Sequence, residues 1–129
     1  LFGGQLMQWI DVVAAVVARR HSGMNVTTAA VDNLQFKEAA YVNDTVVLNG
    51  FITYTGRTSM EVCVKTYVEN LDGTRKLINK AYVVMVALDE NEKPAEVPQI
   101  FIETDEQREE YEAAVKRSEL RKMRRKENF

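Results

Sequence analysis

The sequence predicts an α+β domain in which a long apolar helix lies against an extended antiparallel sheet. Three observations carry that expectation. Between Leu6 and Ala18, Asp11 is the only charged residue and Gln8 the only other polar one, so the segment reads as a helix apolar nearly all round, a core helix. From residue 45 to 88, apolar residues recur with the two-residue period of strands. Asp72-Gly73 between the last two of these runs is a strong hairpin signal. A helix followed by strands lets each element cover the apolar side of the other.

The first helix is expected over residues 5–20, with Leu6, Met7, Ile10, Val13, Ala14 and Val17 on one broad face, stopped by Ser22-Gly23. Residues 26–40 read as extended, and Asn43-Asp44 offers a turn in which asparagine tolerates left-handed geometry. Strands follow at 45–55, 59–69 and 76–88. These runs are apolar on both faces over several positions, more than a sheet with one wet face needs, and a partner subunit is the economical cover. After Pro94 and Pro98 comes a charged segment from Glu103, expected to be helical, with Tyr111, Ala114, Val115, Ser118 and Met123 down one side.

With 129 residues, 46% of them apolar, the chain can bury one modest core. A formal charge of -2 implies no nucleic-acid partner through the net field. The apolar run of the first helix is too short for an ordinary membrane span. Cys63 is the sole cysteine; no internal disulfide can form, a reducing cytoplasm is the simplest setting, and packing is its expected role. One histidine and one cysteine cannot build the usual zinc site, and no Ser-His-Asp set is present. No metal and no cofactor is expected. His21, beside Arg19-Arg20, reads as a solvent-facing or helix-capping residue.

Asp11 asks for an explanation. A carboxylate on a core helix must be hydrogen-bonded, paired or held in a solvent-poor site; it is either a structural aspartate or an active-site carboxylate. The pair Gly3-Gly4 at the helix start is either a tight turn or a place where backbone N–H groups approach a ligand and polarise a carbonyl. Gly56-Arg57-Thr58-Ser59, ahead of the 59–69 run, is a hairpin turn with an exposed arginine or a contact for a phosphate-bearing ligand.

The segments Phe2-Gly3-Gly4-Gln5-Leu6-Met7-Gln8-Trp9-Ile10-Asp11, Asn33-Leu34-Gln35-Phe36, Val42-Asn43-Asp44 and Gly56-Arg57-Thr58-Ser59, in that order and spacing, resemble the hotdog-fold acyl-CoA thioesterases, of the YciA-like and cytosolic long-chain acyl-CoA hydrolase type. The resemblance covers residues 2–102, which implies a hotdog thioesterase domain over 1–102 and a charged helical extension over 103–129. It implies a long central helix wrapped by an antiparallel sheet, and hydrolysis of acyl-CoA to CoA and a carboxylic acid, CoA being part of the substrate. It implies a homodimer, or a hexamer built as a trimer of dimers. Asp11 then acts as general base or as nucleophile through an anhydride, on a carbonyl polarised by the Gly4 amide of the other protomer. Gly3, Gly56, Arg57, Thr58 and Ser59 become contacts for substrate or CoA, and Arg117 and Arg121 in the basic stretch 116–126 become candidates for its phosphates. Relatives carry a strand and an Asn-x-x-Gly segment ahead of the Phe-Gly-Gly motif; none stands before Phe2, so no role is given to an upstream asparagine. The competing readings are a non-catalytic acyl-CoA-binding domain and a hotdog dehydratase or isomerase, the latter disfavoured by the placement of the single histidine.

Overall fold

The computed structural model describes residues 3–127, and for residues 33–36 the backbone alone. Phe2 and the side chains of Asn33-Leu34-Gln35-Phe36, used in the sequence comparison, lie outside the described residues. The elements run α1 (Gly3–Ser22), β1 (Asn25–Phe36), β2 (Thr45–Thr55), β3 (Ser59–Glu69), β4 (Arg75–Leu88) and α2 (Asp105–Lys126). The four strands form one antiparallel sheet in the order β1-β4-β3-β2.

α1 is two residues longer at each end than the 5–20 expected. Gly23 ends it, with φ +70 and its N–H bonded to the Arg19 carbonyl at 2.8 Å, a left-handed stop that glycine adopts without strain. β1 stops at Phe36, short of the Ala40 expected. Lys37 still donates its N–H to the Ile78 carbonyl, but the chain then leaves the sheet for the turn at Asn43, whose φ is 76. At Asp72-Gly73 the turn closes as expected: Gly73 has φ +88, and the Asp72 carboxylate accepts from the backbone N–H and hydroxyl of Thr74.

Leu6, Ile10, Ala14 and Ala18, four residues apart, form the buried stripe of α1. They meet Met60, Val62 and Val64 of β3 and Ala81, Val83, Met85 and Ala87 of β4, alternate residues sharing one face of the sheet. Gly50 lets the helix come close: a Cβ there would lie 2.8 Å from Val13 Cγ1 and 3.1 Å from Val17 Cγ2.

The other face of the sheet is covered within the same chain. α2 crosses it, with the Tyr111 ring 5.2 Å from that of Tyr54 of β2 and tilted 44° to it, Ala114 buried, and Arg121 and Arg124 reaching Asp32 of β1. The strands apolar on both faces, for which a partner subunit is the economical cover, thus receive part of that cover from α2. A capping box fixes the helix start, Thr104 accepting from the Gln107 N–H while the Gln107 side chain accepts from the Thr104 N–H. Between β4 and α2, residues 94–100 lie over the β2–β3 turn, held by Val97 N–H to the Arg57 carbonyl at 2.9 Å and by Gln99 to Thr55 and Gly56. His21 is half-buried rather than fully solvent-facing, and its Nε2 lies 2.6 Å from the Pro98 carbonyl, which ties this segment to the end of α1.

Candidate active site at the edge of the sheet

Asp11 is not in a solvent-poor core. α1 buries one stripe only, and Gly4, Gln8, Asp11, Val12 and Arg19 are exposed in the single chain, Val12 at 61%. The carboxylate lies where α1 overhangs the edge strand β1, and the Thr28 hydroxyl donates to its Oδ1 at 2.6 Å. The same hydroxyl is 3.5 Å from Met85 Sδ, so Thr28 is set between the buried sheet and the carboxylate. Among the described residues the other oxygen, Oδ2, has no partner. One oxygen is fixed and the other is open, the arrangement a general base needs.

Gly3 and Gly4 form the first turn of α1, whose N–H groups have no partner within the helix. Among the described residues, nothing beyond its own helix turn lies within 4 Å of where a Gly4 Cβ would stand, so the backbone there is open to a ligand. Asp11 is seven residues further along, about 10 Å at 1.5 Å per residue. One carbonyl cannot touch both from the same helix.

The remaining sequence candidates fall into two groups. Gly56, Arg57, Thr58 and Ser59 form the β2–β3 turn, with the Gly56 N–H bonded to the Ser59 carbonyl at 2.9 Å. Arg57 is 79% exposed in its side chain and lies 3.6 Å from the equally open Glu96, an exposed pair of little energetic weight that leaves the guanidinium free to move. Arg117 and Arg121 are different, and here the structure corrects the expectation of free phosphate ligands. Arg117 grips Glu61 with two parallel bonds, Nε to Oε2 at 3.0 Å and Nη2 to Oε1 at 2.7 Å. Arg121 Nη1 bridges Glu61 and Asp32 at 3.1 and 3.2 Å. Thr53 donates to the same Glu61 at 2.5 Å, and the Arg117 guanidinium lies 3.6 Å from the centre of the Tyr82 ring. Burial works against the charge on Arg117, yet the bonds and attraction from Glu61 outweigh it and hold the guanidinium above its ordinary range. Their donors face inward, so these two arginines fasten α2 to the sheet.

Sequence reasoning missed Thr28, Glu61 and Asp32. Thr28 lies in an irregular stretch of β1 whose register shifts just after it, and no local pattern marks it. Glu61 did carry a signal, being an acid in an apolar strand run as Asp11 was in an apolar helix. Cys63 is fully buried, and burial pushes its thiol up to about 11, which keeps it protonated and unreactive. Among the described residues no group of three or more His, Cys, Asp or Glu could hold a metal, and no helix is long and apolar enough to cross a membrane.

Comparison with known proteins places this geometry in context. Residues 1–73 match the family model described as the thioesterase superfamily. A Bacillus subtilis protein named as an uncharacterized acyl-CoA thioester hydrolase is 39% identical over 127 residues, 98% of this chain and 74% of that one. The crystal structure of an apo-hexameric acyl-CoA thioesterase superposes with a TM-score of 0.90 at 45% identity, covering 96% of this chain and 80% of that one. An acyl-CoA hydrolase from Staphylococcus aureus, solved with butyryl-CoA and CoA, superposes with a TM-score of 0.92 at 36% identity, covering 99% and 79%. Structures of that hydrolase with alanine replacing an aspartate, and with alanine replacing a threonine seventeen positions later, have also been solved. The separation is that of Asp11 and Thr28 here.

Proposed function

The chain belongs to the thioesterase superfamily, and from that premise we propose that it hydrolyses acyl-CoA to CoA and a carboxylic acid, working in the cytoplasm as a homodimer or a trimer of such dimers. The observation that carries the reading is the Thr28–Asp11 hydrogen bond at an exposed edge, with one carboxylate oxygen left open. A water held by that oxygen attacks the thioester carbonyl carbon as Asp11 takes its proton. The carbonyl oxygen becomes an oxyanion, received by the N–H groups at the Gly4 end of a second protomer's α1. When the carbonyl re-forms, the carbon–sulfur bond breaks, and the thiolate of CoA recovers the proton from Asp11. Direct attack by Asp11 to give an anhydride uses the same groups. No metal or cofactor enters either route.

The need for two protomers follows from distance: Gly4 and Asp11 of one helix lie too far apart to serve one carbonyl. The exposed stripe of α1 through Gly4, Gln8 and Val12 and the unpaired edge of β1 give a second copy both surfaces on which to dock. Thr58, Ser59 and the exposed guanidinium of Arg57, with the backbone at Gly3 and Gly56, are the proposed contacts for pantetheine and phosphate. Residues 1–102 form the thioesterase unit in this reading, and 103–129 an extension fastened to it through Glu61 and Asp32. A product-resolved assay of the purified protein against a panel of acyl-CoA chain lengths is the test. Release of free CoA with the matching acid is expected; binding of acyl-CoA without turnover would instead establish a non-catalytic binding domain.

A further inference from the structure

With Arg117 and Arg121 turned inward, the chain needs other cations if it is to hold the several phosphates of CoA, and the structure offers a pair. Arg19 and Arg20 stand in the last turn of α1, both exposed. Among the described residues neither has a hydrogen-bond or ion-pair partner. They border a cleft of about 980 Å³ between the end of α1, Met24 and the first residue of β1, Asn25, and the end of β4 at Leu88 with the turn from Asp89 to Asn91.

This cleft lies at a suitable distance from the candidate active site along two elements at once. Arg19 is eight residues beyond Asp11, about 12 Å along the helix. Asn25 is three residues before Thr28, about 10 Å along the strand. A pantetheine arm joins its sulfur to the first phosphate through a chain of about a dozen bonds, roughly 15 Å when extended, at the spacing of extended backbone. With a thioester carbonyl at Asp11 and Thr28, an arm running toward the end of α1 puts its phosphates level with Arg19 and Arg20. The fork of an arginine guanidinium matches phosphate oxygens in paired, charge-assisted bonds.

The alternative is that these arginines only oppose the negative end of the helix dipole. The Arg19 carbonyl is already met by the Gly23 N–H, and a cation for the helix end need not border a cleft. Two acids also line the cleft. The Asp89 carboxylate accepts from the N–H groups of Asn91 and Lys93 at 2.8 and 3.0 Å, both on Oδ1, and is held in the turn, so Glu90 is the acid free to move against the arginines while Asp89 keeps its charge.

We propose that Arg19 and Arg20 hold phosphate groups of the CoA portion of the substrate in the cleft between α1, β1 and the end of β4, as a cationic contact separate from Arg57. The proposal rests on the acyl-CoA hydrolase reading. Its test compares the parent with Arg19→Gln, Arg20→Gln and the double variant, using an acyl-CoA and the acyl-pantetheine that lacks nucleotide and phosphates, with Tm recorded for each protein. The double variant should raise KM for acyl-CoA about tenfold or more, change KM for acyl-pantetheine less than twofold, and flatten the salt dependence of the acyl-CoA KM. Glu90→Gln should shift KM for acyl-CoA the other way. Equal changes with both substrates would assign the arginines to the helix end and overturn the site, as would no change with either. Calorimetric titration with free CoA separates the two ideas. A parent that neither turns over acyl-CoA nor binds CoA defeats the hydrolase reading and the site together. A parent that does both, with double-variant affinity for CoA unchanged, defeats the site alone.

Discussion

Asp11 and Glu61 are both acids set in apolar runs, and the fold treats them in opposite ways. Glu61, on the outer face of the sheet, is 1% exposed and bound on every side, by two bonds from Arg117, one from Arg121 and one from Thr53. Asp11, on the helix of the inner face, is exposed at the sheet edge and receives a single bond from Thr28. A buried carboxylate with all its acceptor sites filled is a fastener, because every lone pair that could take a proton or reach a substrate is committed. A carboxylate with one oxygen fixed and one open is oriented and still reactive. The arginines that looked like ligands of a substrate phosphate serve the first carboxylate, and the residue that serves the second is a threonine.

The contrast can be broken by substitution. Glu61→Ala leaves two buried guanidinium groups without their main partner, and the loss expected for one side of a buried ion pair is about 3–5 kcal/mol; denaturant unfolding should report it, and a loss under about 1 kcal/mol would remove Glu61 from the role of fastener. Gly50→Ala tests the other face. Its Cβ would meet Val13 of α1 at 2.8 Å, and overpacking of this kind costs about 1–3 kcal/mol in the same assay. Thr28→Val keeps the shape and deletes the bond to Asp11. Turnover should fall about tenfold, in keeping with the weight of a hydrogen bond to a charged group, while Tm moves little; unchanged turnover would show that Asp11 needs no orienting partner. The smallest effect is expected at the cap of α2, where Thr104→Ala should lower stability by about 1 kcal/mol without touching turnover.

Much of the fold was legible because period and punctuation agree with it. β2 and β3 alternate cleanly between two turn signals, and the structure bounds both strands where the pattern does. β1 ends sooner than the extended reading of 26–40 because, after a last bond from the Lys37 N–H to the Ile78 carbonyl, the chain bends at Glu38, a departure that side-chain pattern does not record. The basic tail misled for a related reason. Residues 116–126 look like a solvated or ligand-facing run, and only tertiary packing shows Arg117 and Arg121 turned towards acids 56 and 89 positions earlier. A partner on a distant strand leaves no local trace in the chain. Asp11 stood out through its surroundings, but apolar neighbours at helical spacing do not say which of them are covered by their own chain. Val12, as apolar as Ile10, is mostly exposed while Ile10 is buried.

A reactive Asp11 and a structural Glu61 are separated most directly by one paired measurement: steady-state turnover and Tm of Asp11→Asn and Glu61→Gln beside the parent on its best acyl-CoA. Asp11→Asn should lose at least about tenfold to a hundredfold in kcat, the scale of general-base assistance, with Tm close to parental. Glu61→Gln should lower Tm and leave the kcat of the folded protein near parental. A folded Asp11→Asn protein turning over at the parental rate would contradict the assignment of Asp11 as the catalytic carboxylate.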